Sequence, residues 1–219
     1  MDKLRLRFEK TGRAVYISHL DLMHTMQRVF SRAGFELKYS EGFNPHPQIS
    51  IALPLSVGTT SICELMDFKL KGETDLASLP EKLTAVMPEG LRVTECYEAE
   101  RKTAALKYLE IEGRFEYDAR PLEAMCEGLR EFYGRDSIVI TKKTKRGIGE
   151  SDIRPAIREI SFEVGTDAVK LHAVISAQEP TLNPALLADA LRQLSPELAP
   201  DFEAFTRLET YTEDMQIFR

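Results

Sequence analysis

Residues 39–58 read YSEGFNPHPQISIALPLSVG, and the rest of the chain is organised around them. Tyr39-Ser40 has the look of a strand ending, and Ile49–Leu53 of a strand resuming. Pro45 and Pro47 each fix their own φ and push the residue before them toward extended geometry. His46, between them, is therefore expected in a stiff, backbone-defined loop. A loop that only joins two strands needs about two to five residues. This one is longer and carries an imidazole between prolines, which suggests a shaped surface.

Working toward the N-terminus, Leu4, Leu6 and Phe8 alternate with Arg5, Arg7 and Glu9, the pattern of a half-buried strand over residues 3–10. Gly12 turns the chain, and Val15-Tyr16-Ile17 extends the segment. Ser18 then opens S-H-L-D, with Asp21 three residues on, a short-carboxylate form of the capping box. The helix it starts is expected to run to about Ala33, with Leu20, Met23, Met26 and Phe30 plus Leu22, Val29 and Ala33 as its apolar stripe. Gly34 ends it. Phe35–Tyr39 reads as the second strand and Ile49–Leu53 as the third. Beyond Gly58, Ile62–Leu70 reads as a strand, Asp75–Val86 as a helix and Leu91–Tyr97 as a strand.

The second half gives the same order: strand 106–117, helix 121–132, strand 137–141, a basic loop, strands 157–164 and 169–175 hinged at Gly165, helix 183–194 and strand 205–212. The expected fold class is α+β, with two tandem ferredoxin-like (split βαβ) units and antiparallel sheets. Their expected bounds are residues 1–100, carrying the SHLD and FNPHP motifs, and 101–219, carrying the KKTKRG loop. The loop Lys142–Asp152 then corresponds to the NPHP loop, and a shared face for the two is the economical expectation.

Composition narrows the function classes. The formal net charge is −6, but it is unevenly spread. Residues 1–60 hold eight Lys/Arg against five Asp/Glu, and residues 135–158 hold seven against three. An acidic chain with two basic islands can attract a polyanion locally. No apolar run approaches the ~18–20 residues needed to span a bilayer, and the N-terminus, which alternates charged and apolar residues, is expected to be neither a signal nor a transit peptide. Cys63, Cys96 and Cys126 are few, odd in number and widely spaced. That suits a reducing, cytoplasmic setting and no thiolate zinc site. The chain has no GxGxxG, Walker or GxSxG motif, and no CxxxCxxC triplet for an iron–sulfur cluster. No cofactor and no metal are expected.

The strongest constellation is cationic. His24, Arg28 and Arg32 are spaced at i, i+4 and i+8, one ridge along the first helix. In the second half Lys142, Lys143, Lys145 and Arg146 run into Gly147 and Gly149, and Arg154 precedes Pro155. Lysines and arginines bring charge to phosphates, and glycines let backbone N–H groups approach. Tyr16, Tyr39 and Phe43 offer planar faces for a base. The plainer reading is a set of solvated charges. Two imidazoles and a carboxylate (His19, His46, Asp21) could hold a metal or act as acid and base; the simpler reading makes Ser18 and Asp21 a helix cap. His172, in an apolar strand pattern, is expected as a satisfied core or edge residue.

Arg7-Phe8, Gly12, SHLDLM at 18–23, Arg28, Arg32-Ala33-Gly34 and YSEGFNPHPQISIALPLSVG resemble the opening half of the radical-SAM-linked protein family, also called the DUF2344 family. KKTKRG…DIRPAI is similar to its second block, so the resemblance spans most of the chain. The positions that match are Ser18, His19, Asp21, Ser40, Glu41, Asn44, His46, Arg154 and Pro155. The resemblance implies a domain fused behind, or encoded beside, a radical SAM protein, often near ribosomal-protein and RNase E/G-type genes. The expectation is therefore a non-catalytic accessory protein that binds RNA or presents a substrate for a radical SAM partner, in RNA modification or ribosome-related metabolism. The alternatives are a stand-alone nuclease or transferase using His19 and His46, and an adaptor that contacts the partner without RNA.

Overall fold

Alternating apolar residues form the first strand, β1 (Leu4–Lys10), in the computed structural model, which describes residues 3–144 and 147–219. The chain divides into two compact units, Met1–Ala105 with Phe218–Arg219, and Leu106–Ile217. Each has helices and an antiparallel sheet, so the fold class is α+β.

In the first unit, α1 (His19–Arg32) follows a 3-10 turn over Gly12–Tyr16. Its buried face is Leu22, Met26, Val29 and Phe30, packed on Leu6, Phe8 and Phe68 of the sheet. Phe30 and Phe68 have ring centroids 5.0 Å apart. Leu20 departs from the expected stripe and is 69% exposed. Two residues before Leu22 is about 200° of helix rotation, which turns it away from the core. Gly34, at φ 80, ends the helix; this left-handed conformation is cheap only without a Cβ.

The sheet of this unit runs β4-β1-β3, with β2 paired to β3. The strands are β2 (Ile49–Ala52), β3 (Thr60–Phe68) and β4 (Leu91–Glu98), and every pairing is antiparallel. The strand expected at residues 35–39 does not form. Only two isolated bridges occur there, Leu37 to Leu70 and Tyr39 to Pro47. Pro47 has no N–H to give, so a ladder cannot grow through it. The helix expected from Asp75 is a 3-10 turn, Leu76–Ser78, and then a short α2 (Leu79–Thr84). Pro80 is the reason, since proline is tolerated only in a first turn.

The second unit contains β5 (Tyr108–Glu116), α3 (Leu122–Tyr133), β6 (Val139–Thr144), β7 (Gly147–Asp152), β8 (Ile157–Val164), β9 (Val169–Ser176), α4 (Ala185–Leu194) and β10 (Phe202–Tyr211). Its sheet order is β10-β5-β9-β8, and β6 and β7 form a separate two-stranded ribbon. Two expectations change here. The strand near residue 137 belongs to the ribbon, outside the main sheet, and most of the expected basic loop is extended and paired. Lys142 faces Gly149 across the ribbon. Lys145 and Arg146 lie outside the described residues, as does the side chain of Lys143. In chain order both the ribbon and the histidine loop fall between the first helix of a unit and the second strand of its sheet. Stacked Tyr133 and Phe162, 5.4 Å apart, and edge-on Phe115 and Phe205, 6.0 Å apart, sit in this core.

Candidate functional site

The approach to α1 is fixed from below by a buried lysine. Lys10 Nζ donates to the carbonyls of Val15 (3.2 Å) and Ile17 (3.3 Å). Burial pushes its pKa below the ordinary lysine value, with the Glu64 charge working the other way. Ser18 caps the helix: its Oγ accepts from the Asp21 N–H at 3.2 Å and donates to the Asp21 carboxylate at 2.7 Å. Those bonds are what the capping reading requires. His19 is exposed on the first turn, and His24, Arg28 and Arg32 are all exposed along the same helix.

The histidine loop closes on itself. Ser40 N–H donates to the His46 carbonyl at 2.9 Å, and His46 N–H donates back to Ser40 Oγ at 3.1 Å. The His46 Nδ1 lies 3.0 Å from Ser40 Oγ and 3.4 Å from the Asn44 carbonyl. Gln48 reinforces the neck, giving its side-chain amide to the Tyr39 carbonyl (3.2 Å) and its backbone N–H to Lys38 (2.7 Å). Ser40, Asn44 and His46 are thus one constellation. Glu41 is exposed on the same loop, and Phe43 stands wholly uncovered, at 113% relative exposure. No hydrogen bond joins His19 to His46, and no group of three His, Cys, Asp or Glu could hold a metal ion, among the described residues.

Beside this loop lies a cleft of about 230 Å³ lined by His46, Pro47, Gln48, Ser50, Asp67 and Lys69, with Lys3 at its side. The sheet register explains the grouping. Ser50 is opposite Asp67, and Asp67 opposite Arg5, so alternation puts these side chains on one face. Arg5 and Asp67 are both buried. Arg5 Nε donates to Asp67 Oδ1 at 2.6 Å, its Nη2 to Oδ2 at 3.2 Å, and Thr103 Oγ1 to Oδ2 at 3.2 Å. Lys3 Nζ is 2.5 Å from Oδ2. Burial works to raise the Asp67 carboxyl, but the hydrogen bonds and charges of Arg5 and Lys3 outweigh it and hold it below the usual value.

In the second unit Arg154 is structural. Its Nη1 donates to the Ile157 carbonyl (2.8 Å) and its Nε to the Arg135 carbonyl (3.2 Å). Asp152 accepts from Ser137, from the Ile138 N–H and from the Arg154 N–H, each at 2.9 Å. The two backbone donors lead in holding its carboxyl below the usual range. Gln193 of α4 meets both backbone groups of Thr141, at 2.8 and 3.0 Å. Together these root the ribbon. His172 is exposed, contrary to a core placement, and pairs through Nε2 with Glu110 at 2.8 Å. It sits on the solvent side of β9, where the hydrogen bond to Glu110 satisfies it.

Sequence reasoning missed Lys3, Ser50, Asp67 and Lys69 at the cleft, and Asp152 and Gln193 at the ribbon. Lys69 and Asp67 read as ordinary solvent-side alternation in a strand. One signal was present: Arg5 and Asp67 are opposite charges on two strands that read as neighbours in one sheet.

A family model described as "Uncharacterized protein conserved in bacteria (DUF2344)" matches residues 3–184. No curated protein matches the chain by sequence. Among solved structures the chain is similar to one in a Cbf5-Nop10-Gar1 complex, at 11% identity and a TM-score of 0.51, covering 96% of this chain and 50% of that one. It therefore spans about half that chain's length, and at this identity the likeness concerns the fold alone. An unknown protein from Galdieria sulphuraria aligns at 9% identity with a TM-score of 0.27, covering 94% of this chain and 98% of that one.

Proposed function

The chain belongs to the DUF2344 family, and from that premise we propose that it is a non-catalytic accessory protein to a radical SAM enzyme, holding RNA while the partner performs the chemistry. The observation that carries the RNA part is the uncovered Phe43 ring on a loop locked by Ser40 and His46. A rigid, solvated aromatic ring is a stacking platform for an unpaired base. Exposed Arg28, Arg32 and Lys38 nearby in sequence supply the charge that phosphates need, and the second unit carries a basic run of its own in sequence at residues 142–146. The radical SAM partner rests on the resemblance of the SHLD and FNPHP motifs. The substrate belongs, on this reading, to RNA modification or ribosome-related metabolism, in the cytoplasm. No helix among the described residues is long and apolar enough to cross a membrane.

Both units are read as ferredoxin-like. The support is the strand order, β4-β1-β3-β2 in one and β10-β5-β9-β8 in the other, each the 4-1-3-2 arrangement of a split βαβ fold once the ribbon is set aside as an insertion.

Fluorescence anisotropy with tRNA and rRNA fragments over a salt series tests the proposal. Affinity falls as salt rises. Lys143→Glu with Arg146→Glu weakens binding, and Phe43→Ala weakens it by about tenfold, within the range of one lost base stack. Flat curves at low salt remove the RNA reading. An adaptor role is favoured by one observation, the exposure of Tyr16, Leu20 and Val57 where Gly58 N–H bonds to the Val15 carbonyl at 2.9 Å. Partner co-purification that survives high salt and nuclease would favour that role over RNA holding.

A further inference from the structure

We propose that the cleft beside the histidine loop is a subsite for a phosphomonoester, with Lys3 and Lys69 as its cationic wall, Ser50 as a neutral donor and His46 at its edge. This rests on the RNA-holding reading in one respect: the phosphate is taken to be the terminal phosphate of an RNA strand.

The charge balance of the cleft points there. Asp67 is the one carboxylate among its lining residues, and it is already satisfied by Arg5, Thr103 and Lys3. Two cations thus serve one anion, and the surplus charge adds to that of Lys69. A neutralised carboxylate does not repel an incoming anion. A phosphomonoester carries about −1.5 to −2 at neutral pH, a closer match to this surplus than the single charge of a phosphodiester. The sheet fixes Ser50, which lies opposite Asp67 in register, and Lys69 lines the same cleft just past the end of β3.

His46 is set up to help. Its Nδ1 is turned into its own loop, toward Ser40 Oγ and the Asn44 carbonyl. A carbonyl oxygen can only accept, so it favours a proton on Nδ1. The remaining nitrogen, Nε2, is then the one left for a ligand to meet. At about 230 Å³ the cleft is below the ~300 Å³ where drug-sized pockets begin. That suits a phosphate with its sugar better than a whole larger cofactor.

The test uses the full chain and three probes in equilibrium titrations: a short single-stranded RNA with a terminal phosphate, the same RNA with a terminal hydroxyl, and adenosine monophosphate. Tighter binding of the phosphorylated strand by about tenfold, lost in Lys69→Ala and His46→Gln and retained in Lys69→Arg, is the expected result. Thermal unfolding confirms that the variants are folded. Equal affinity for the two strands overturns the subsite and leaves the RNA reading standing. If neither strand binds but the mononucleotide does, with the same loss in Lys69→Ala, the subsite stands with a free nucleotide as its source and the RNA reading falls. If no probe binds, both fall.

Discussion

Asp67 shows how one side chain can serve both stability and a site. It is buried, and Arg5, buried with it, has its guanidinium carbon 4.4 Å from the centre of the Phe218 ring. Two salt-bridge partners hold the Asp67 carboxyl below its ordinary 3.8. A depressed carboxyl contributes stability above the unfolded-state value and loses it as pH falls through the folded one. Asp67→Asn should therefore cost about 3–5 kcal/mol near neutrality, since it leaves Arg5 buried without its counter-charge. The gap between wild type and variant should narrow as pH drops below about 4. Urea melts at several pH values read this directly, and a gap that stays constant to pH ~2 would contradict the assignment.

At the level of elements, the β6–β7 ribbon depends on its root more than on its own ladder. Asp152 gathers three donors from Ser137, Ile138 and Arg154. Replacing it by Ala should speed hydrogen exchange throughout β6 and β7 by about tenfold or more while β5 and β9 keep their protection. Uniform loss of protection across the unit would mean that the ribbon and sheet unfold together. This ribbon is also where the limits of the sequence are clearest. The strands whose apolar residues alternate cleanly, such as β1, β5 and β9, could be read within a residue or two of their observed ends. The cap of α1 was equally legible, because Ser18 and Asp21 interact across one turn. The ribbon was not, because its partner strand, Gly147–Asp152, has no apolar alternation and forms through backbone pairing. Residues 35–39 failed in the opposite sense: they alternate like a strand, but Pro47 denies them a ladder. At the cleft, His46 and Ser40 were visible as a motif, whereas Ser50 comes to Asp67 only through cross-strand register.

Considered whole, the chain does not divide at a single point. Phe218 and Arg219 belong with the first unit. Phe218 is buried, and Arg219 lies 3.2 Å from Glu95 and accepts from the Arg101 N–H at 3.1 Å through its carbonyl. Phe218→Ala should cost about 3–5 kcal/mol and lower hydrogen-exchange protection in β1 and β4, with β5 and β9 little changed. Equal loss in both sets would show that the two units unfold as one. The charge pattern also operates at this scale. A net −6 is the kind of charge that sets identical molecules repelling one another.

The amide of Gln193 carries a further meaning. By answering both the N–H and the carbonyl of Thr141, it occupies the outer margin of β6 as a neighbouring peptide would. At Thr141 an added strand would find one N–H and one carbonyl already engaged. An edge strand is blunted where its outward groups are already engaged, and here one side chain does so for both groups of Thr141.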